Sequence, residues 1–197
     1  MNKIIYDLEI TGFGDNEIVS IGCHVLNHRN AHIGSFYSLI KPDGAMGSRA
    51  KKMTGLKNSD LKSASEFKDV MDMLEKWLKI CLNIDVKDCE WIAYGEDSKV
   101  LRRMCKLHNI DFNQYIGKNK VSDIQKILSK KVKHNDKPIA ERISLHNMKS
   151  IYNIPGSVSH NALDDAHDAM DIYLSWKNGK EMDEKIIEEI YEKRKGN

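Results

Sequence analysis

The sequence predicts an α/β layered domain, a mixed β-sheet covered by helices. Three apolar, β-branched runs follow one another within residues 3–40, joined by polar turns. A further short apolar run, Glu90–Tyr94, sits between segments of helical period, and the chain beyond it is mostly helical in pattern. Strands in succession, followed by strand–helix alternation, call for a sheet with helices packed on its faces.

The elements are justified in chain order. Lys3–Ile10 is apolar enough for a strand. Glu17–Leu26 (EIVSIGCHVL) and Ala31–Ile40 (AHIGSFYSLI) make two more, with the polar NHRN turn between them. Lys41-Pro42-Asp43-Gly44 breaks the pattern. Phe67, Val70, Met71, Leu74, Trp77, Leu78 and Cys81 form a helical stripe over Glu66–Leu82. Glu90–Tyr94 is a fourth strand, followed by a helix over Asp97–His108. Val121–Lys131 and Ser144–Tyr152 read as helices, Asn161–Trp176 as a strong one and Glu181–Lys195 as a charged terminal one. Residues 1–178 are expected to form one domain, with 179–197 a charged helix belonging or appended to it. No internal repeat, low-complexity segment or Pro-rich linker interrupts the chain.

Composition narrows the classes. The 197 residues are 41% hydrophobic and 30% charged, which suits a soluble globular domain with a sizeable core. No apolar run approaches the roughly 18 residues that a membrane span needs. The N-terminus meets Asp7 and Glu9 before a secretory core could form. The four cysteines, Cys23, Cys81, Cys89 and Cys105, show neither CxxC nor zinc-finger spacing, so reduced and mostly buried thiols of a cytoplasmic protein are expected. Net charge is +2, yet Ser98–Lys137 holds 11 Lys or Arg against 3 Asp, leaving the remainder at −6. That asymmetry is compatible with a polyanionic partner and equally with a solvated, lysine-rich helix pair.

Certain acids break the patterns. With Asn161–Trp176 as a helix and Asp165 at zero, Ala162, Ala169, Ile172, Tyr173 and Trp176 fall within about 80° of it. Asp164, Asp168 and Asp171 fall on a polar flank that calls for no special explanation. Asp165 therefore faces the core. Asp97 likewise shares a helix face with Val100, Leu101, Met104 and Cys105. Asp7 and Glu9, two apart on a strand, project from one face with Cα atoms roughly 6.5–7 Å apart. Any one inward acid is explained by a cap or an arginine partner. Four gathered together carry a charge that a partly dry site tolerates only with cations, and carboxylate oxygens suit Mg²⁺ or Mn²⁺.

His160 lies five residues before Asp165, behind Pro155-Gly156-Ser157 and next to Asn161, a good N-cap. It is expected on the loop entering the helix, where an imidazole serves as a general base or is simply a surface histidine. His24, His28 and His32 have the spacing of a helical zinc site, but the segment reads as strand and turn, and their imidazoles are not expected to converge.

These residues resemble the DEDDh 3′–5′ exonucleases. Asp7-Leu8-Glu9-Ile10-Thr11-Gly12 is similar to D-x-E-x-T-G. Ala93-Tyr94-Gly95-Glu96-Asp97, followed by Val100-Leu101, resembles the second motif, and His160-Asn161-Ala162-Leu163-Asp164-Asp165-Ala166 resembles H-x-A-x-x-D-A. Lys41-Pro42, Met53-Thr54-Gly55-Leu56 and Ser144–Ile154 resemble the intervening segments, so the likeness runs from about residue 3 to 176. The second motif has Gly95 ahead of Asp97, which is closest in look to the sporulation-inhibitor-type RNA-trimming members. Many DNA-proofreading members have Phe where Glu96 stands, and Ile10 replaces a frequent threonine.

The resemblance implies a ribonuclease H-like three-layer fold with a mixed five-stranded sheet. It implies that Asp7, Glu9, Asp97 and Asp165 hold two Mg²⁺ or Mn²⁺ ions, and that His160 takes a proton from the attacking water. Nucleoside 5′-monophosphates would leave the 3′ end of single-stranded RNA or DNA. Thr11 and Gly12 are expected to contact the terminal nucleotide through their backbone, with Met53 or Leu56 against its base. Lysines between Lys118 and Lys137 would hold the incoming strand. A silent nucleic-acid-binding module of the same fold and a ribonuclease H-type endonuclease are the alternatives.

Overall fold

A computed structural model of the chain describes residues 1–12, 16–117 and 120–196. Strand β1 (Asn2–Ile10) pairs antiparallel with β2 (Ile18–Leu26), which pairs antiparallel with β3 (His32–Leu39). Helices α1 (Ser48–Thr54) and α2 (Asn58–Lys62) lead into the long α3 (Phe67–Cys81). Strand β4 (Cys89–Ala93) lies parallel to β1 and is followed by α4 (Asp97–Leu107) and α5 (Phe112–Tyr115). Strand β5 (Val121–Asp123) lies parallel beside β4 and runs directly into α6 (Ile124–Ser129). A small hairpin, β6 (Lys133–His134) and β7 (Lys137–Pro138), precedes α7 (Leu145–Ile151), α8 (Ala162–Lys177) and α9 (Glu184–Lys195). The main sheet has the order β3-β2-β1-β4-β5, the mixed five-stranded sheet flanked by helices that the resemblance implies.

Strand alternation sorts the side chains into two cores. Ile4, Tyr6 and Leu8 of β1, with Ile21, Cys23 and Val25 of β2, pack against Phe67, Val70, Met71, Leu74 and Leu78 of α3 and Leu101, Met104 and Cys105 of α4. On the opposite face, Ile5 and Ile92 meet Met148 and Ile151 of α7, Ala169, Ile172 and Tyr173 of α8, and Ile187 and Ile190 of α9. Every residue of β2 is buried, because helices cover the sheet on both sides. Each large side chain so buried contributes on the order of 1.5–3 kcal/mol. Asp7 and Glu9 belong to the α8 face, where a carboxylate replaces what strand periodicity would make apolar.

Several expectations are corrected. Val121–Lys131 is not one helix: Val121–Asp123 is the edge strand β5, and Asp123 then caps α6 by accepting from the Lys126 N–H at 3.0 Å. Three strand residues are too few for alternation to show beside a helical pattern. Helices α1, α2 and α5 were not expected, being short and largely polar. His24 and His32 do converge, with His24 Nδ1 lying 3.2 Å from His32 Nε2 and 2.9 Å from Ser35 Oγ. A register irregularity between Val25 and Leu26 brings the two strands' histidines together. Burial keeps the His24 imidazole below its usual range, and its Nε2–H donates to the Leu163 carbonyl at 3.1 Å, tying β2 to α8. No helix among the described residues is long and apolar enough to cross a membrane.

Candidate active site

Three elements deliver the acids. Strand β1 presents Asp7 and Glu9 toward α8. Strand β4 stops at Ala93, paired with Tyr6, so the Leu8 N–H has no neighbouring strand on that side. The chain turns at Gly95, whose φ of +125° excludes most other residues, and enters α4 at Asp97. The Asp97 carboxylate then accepts the Leu8 N–H at 3.2 Å, filling the missing place in the ladder. This bond fixes Asp97 beside Asp7 and Glu9.

Helix α8 delivers Asp165. Asn161 caps it, its side chain accepting from the N–H groups of Leu163 at 3.0 Å and Asp164 at 3.4 Å, a cap worth about 1 kcal/mol. His160 lies outside the helix, on the entering loop, with a φ of +55°. Asp165 is 5% exposed, and its Oδ1 accepts the Ser159 N–H at 3.2 Å. Ligand-capable atoms of Glu9, His160 and Asp165 all lie within 4.8 Å of one another.

Helix α8 reaches this position because β2 carries a glycine beneath it. Gly22 pairs with Asp7 across the ladder, and a Cβ on Gly22 would lie 2.3 Å from the Ala162 carbonyl carbon and the Leu163 nitrogen. The backbone of the helix's first turn thus rests on the strand itself. Sequence reading passed over Gly22, although a glycine inside an apolar strand is a signal for close backbone approach.

The electrostatics follow from this crowding. Asp7 is raised well above the carboxylate range by burial, then by the charges of Asp97, Glu9 and Asp165. Glu9 is pushed up to about 7 by burial, then by Asp165 and Asp97. Burial also takes Asp97 to about 7, opposed by the Leu8 N–H and assisted by Asp123 and Asp165. Asp165 is raised by burial against the lowering effect of the Ser159 N–H and His160. Among the described residues no lysine or arginine forms an ion pair with any of the four. An oxygen-rich cluster that repels itself fits a hard divalent cation. Asp7, Glu9, Asp97 and Asp165, with His160 alongside, are the residues able to hold one.

Asp168 corrects the flank assigned to it. Its side chain is 14% exposed and pairs at 2.6 Å with Lys149 of α7, itself 3% exposed. Lys149 neutralises an acid that otherwise raises Asp165 further. This lysine, set between Met148 and Ile151 in a buried stripe, was also passed over.

The expected substrate contacts lie beyond the end of β1. Thr11 is buried, donating its N–H to the Glu17 carbonyl at 2.8 Å and accepting the Gly47 N–H at 2.9 Å on its own carbonyl. Gly12 abuts α1, where an added Cβ would meet Ala50 Cβ at 3.3 Å. Met53 of α1 is 41% exposed, whereas Leu56 packs with Val19, Met46, Ala50 and Leu61. The structure thus brings α1 onto Thr11 and Gly12, leaves Met53 accessible and half-buries Leu56. Lys118 lies outside the described residues.

Comparison with known proteins agrees with this geometry. A family model described as Exonuclease, RNase_T, matches residues 4–173. No curated protein matches the sequence. Among solved structures, the fold is similar to the nuclease domain of 3′hExo, a DEDDh family member bound to rAMP, at a TM-score of 0.74 and 19% identity over 92% of this chain and 94% of that one. It is similar to a full-length 3′-exonuclease at a TM-score of 0.74 and 19% identity, over 92% of this chain. Escherichia coli exonuclease I in complex with a dT13 oligonucleotide matches at a TM-score of 0.67 and 15% identity, over 88% of this chain. The chain spans 62% of that full-length 3′-exonuclease and 41% of exonuclease I. The sheet is of the ribonuclease H-like kind these exonuclease domains share, and the chain belongs to the RNase_T exonuclease family.

Proposed function

We propose that the chain is a metal-dependent 3′–5′ exonuclease that removes nucleoside 5′-monophosphates from the 3′ end of single-stranded nucleic acid, RNA ahead of DNA. The observation that carries this reading is the meeting of Glu9, His160 and Asp165 within 4.8 Å, beside Asp7 and Asp97. Two Mg²⁺ or Mn²⁺ ions, when bound, supply activation of water and stabilisation of the departing 3′ oxygen. Asp7, Glu9, Asp97 and Asp165 hold them, and the Leu8 and Ser159 N–H groups orient two of those carboxylates. The His160 imidazole accepts the proton lost by the attacking water, whose oxygen bonds to phosphorus as the bond to the 3′ oxygen breaks. Gly12 receives the terminal nucleotide through its backbone, held in place by Thr11, whose own backbone groups bond Glu17 and Gly47, and the accessible Met53, with Leu56 behind it, packs against its base. Gly95 ahead of Asp97, as in the RNA-trimming relatives, is the reason for ranking RNA first.

Residues 1–178 are read as the nuclease domain, with α9 part of it through Ile187 and Ile190. Four free cysteines suit a reducing, cytoplasmic setting.

The test is a 5′-labelled oligonucleotide incubated with Mg²⁺ and separately with EDTA, in parallel on single-stranded and duplex RNA and DNA bearing 3′ hydroxyl ends. A ladder shortening one nucleotide at a time, abolished by EDTA, is expected. Internal cuts would point to an endonuclease, and binding without cleavage to a silent module.

A further inference from the structure

Strand β2 and the edge strand β3 bring together three side chains that the proposed mechanism does not use. His24 Nδ1 lies 3.2 Å from His32 Nε2 and 2.9 Å from Ser35 Oγ, and His32 Nε2 lies 3.1 Å from Ser35 Oγ. Three donor atoms thus form a nearly equilateral triangle. A tetrahedral zinc ion with imidazole nitrogens at about 2.0–2.1 Å sets its ligands roughly 3.3 Å apart. The triangle needs only a slight expansion to become one face of such a site.

The backbone is shaped for this meeting. His24 pairs with Ser35 across the ladder, so the two share a face. His32 stands three residues before Ser35, which in a regular strand would put it on the opposite face. Val25 pairs with Gly34 and Leu26 with His32, leaving Ile33 as an extra residue. That bulge turns His32 back toward Ser35, the kind of re-aiming that bulges perform.

The tautomer also suits a metal. The Leu163 carbonyl can only accept, so His24 Nε2 carries the proton donated to it at 3.1 Å. Burial favours the neutral ring, and its Nδ1 lone pair therefore faces His32 and Ser35. A ring N–H held by a backbone carbonyl is the outer support that metal-binding histidines commonly have. Without metal, the Ser35 hydroxyl and the His32 ring N–H close the triangle by hydrogen bonds. An ion takes the place of those two hydrogens: His32 moves its ring proton to Nδ1, and the Ser35 hydroxyl turns its own outward, so no proton is lost. His167 of α8 packs edge-on against His24 at 5.2 Å between ring centroids and pairs with Asp171 at 3.6 Å. The Asp171 charge favours a cation at His24, against the neighbouring His167 and His32. His32 and Ser35 are exposed, which gives solvent access to the remaining position. Imidazole donors favour ions of the zinc class, whereas Mg²⁺ prefers oxygen.

We propose that His24, His32 and Ser35 form a second metal site, for a transition ion of the zinc class, which clamps the edge strand β3 to β2 and, through the Leu163 carbonyl, to the start of α8. It is separate from the carboxylate cluster and stands whether or not the chain is a nuclease.

The experiment is calorimetric titration of the full chain with Zn²⁺, together with Co²⁺ titration followed by visible absorption, which reports coordination geometry. The parent is expected to bind Zn²⁺ at two classes of site, the carboxylate cluster and the histidine site. Asp165→Asn weakens the first class and leaves the second. His32→Ala weakens the second by at least about 10–100-fold, the amount that removing a mere outer support costs. Ser35→Ala, a milder change, moves the second class in the same direction, and it carries the comparison if circular dichroism in EDTA finds His32→Ala unfolded. His28→Ala, on the neighbouring turn, leaves both classes unaltered. In the Asp165→Asn background Zn²⁺ raises Tm over the same chain in EDTA, and adding His32→Ala removes that gain. Binding of Zn²⁺ to His32→Ala and Ser35→Ala equal to the parent's, or a loss no larger than that of His28→Ala, overturns the proposal. So does saturation of the second class at one ion per two chains, which makes the ion a bridge between copies.

Discussion

Gly22→Ala tests whether the seat of α8 is what assembles the site. The added Cβ would stand 2.3 Å from the Ala162 carbonyl carbon and the Leu163 nitrogen and 2.4 Å from Leu163 Cα, where ordinary contact begins at 3.4 Å. All three are backbone atoms, so no side-chain rotation relieves the clash and the first turn of α8 must lift by about 1 Å. That turn carries Asp165 and is preceded by His160, while Asp7 and Glu9 stay on the strand. A displacement of this size is expected to lower kcat/KM about 10²-fold. Overpacking of this kind costs about 1–3 kcal/mol, which for a domain of this length corresponds to a fall in Tm of about 2–12 °C. Turnover on a labelled oligonucleotide and thermal unfolding by circular dichroism measure the two effects. Gly44→Ala is the control, because its Cβ would meet only Glu17 Oε2 at 3.6 Å. Parental turnover and Tm in Gly22→Ala would refute the close seating and the account of the site built on it.

The remaining expectations concern the site's chemistry and its supports. His160→Ala is expected to lower turnover by about 10²–10⁴ while binding of a single-stranded 12-mer in EDTA stays within about twofold, and equal loss of both would remove the proton-accepting role. Asp97→Asn keeps an oxygen to accept the Leu8 N–H, so Tm should hold while Mg²⁺-dependent cleavage disappears; normal cleavage would cancel the metal assignment. The four carboxyls are held above their ordinary range, Glu9 and Asp97 at about 7, so the folded chain retains protons that the unfolded chain releases from about pH 4 upward. Their contribution to metal-free stability is therefore present in acid and lost as pH rises through about 7. Divalent ions bind the ionised cluster, so stabilisation by Mn²⁺ is expected to be larger at pH 8 than at pH 5.5, reaching up to about 2.7 kcal/mol at a hundredfold excess over Kd and read as a larger rise in Tm; the opposite order would contradict the sign. Lys149→Met strands the Asp168 charge and should cost about 3–5 kcal/mol, with Lys149→Met/Asp168→Leu recovering much of it in a denaturant titration.

Much of the architecture was legible because apolar periodicity was long enough to read. The stripe from Phe67 to Cys81 and the run from Asn161 to Trp176 each cover several turns, and the first two strands are rich in isoleucine and valine. The site acids stood out for the same reason, as charges set where the pattern requires apolar groups. What escaped depends on distances between segments. The length of β5 is three residues, too short to interrupt a helical pattern. The meeting of His24 with His32 follows from a bulge that single-strand reading does not register. The Leu8 and Ser159 N–H groups are backbone donors, which every residue except proline carries, so no side-chain pattern marks them. Gly22 and Lys149 were visible as oddities in the text, but their partners lie 141 and 19 residues away, at Leu163 and Asp168.

The cluster draws on nearly the whole length of the polypeptide, with Asp7 on the first strand and Asp165 on the penultimate helix. During synthesis, Asp97 is made 68 residues before Asp165. A ribosome-bound fragment ending between residues 97 and 159 therefore carries three of the four acids and not His160. On the proposed mechanism such a nascent chain is inert toward the RNA around it, and competence arrives only when α8 docks.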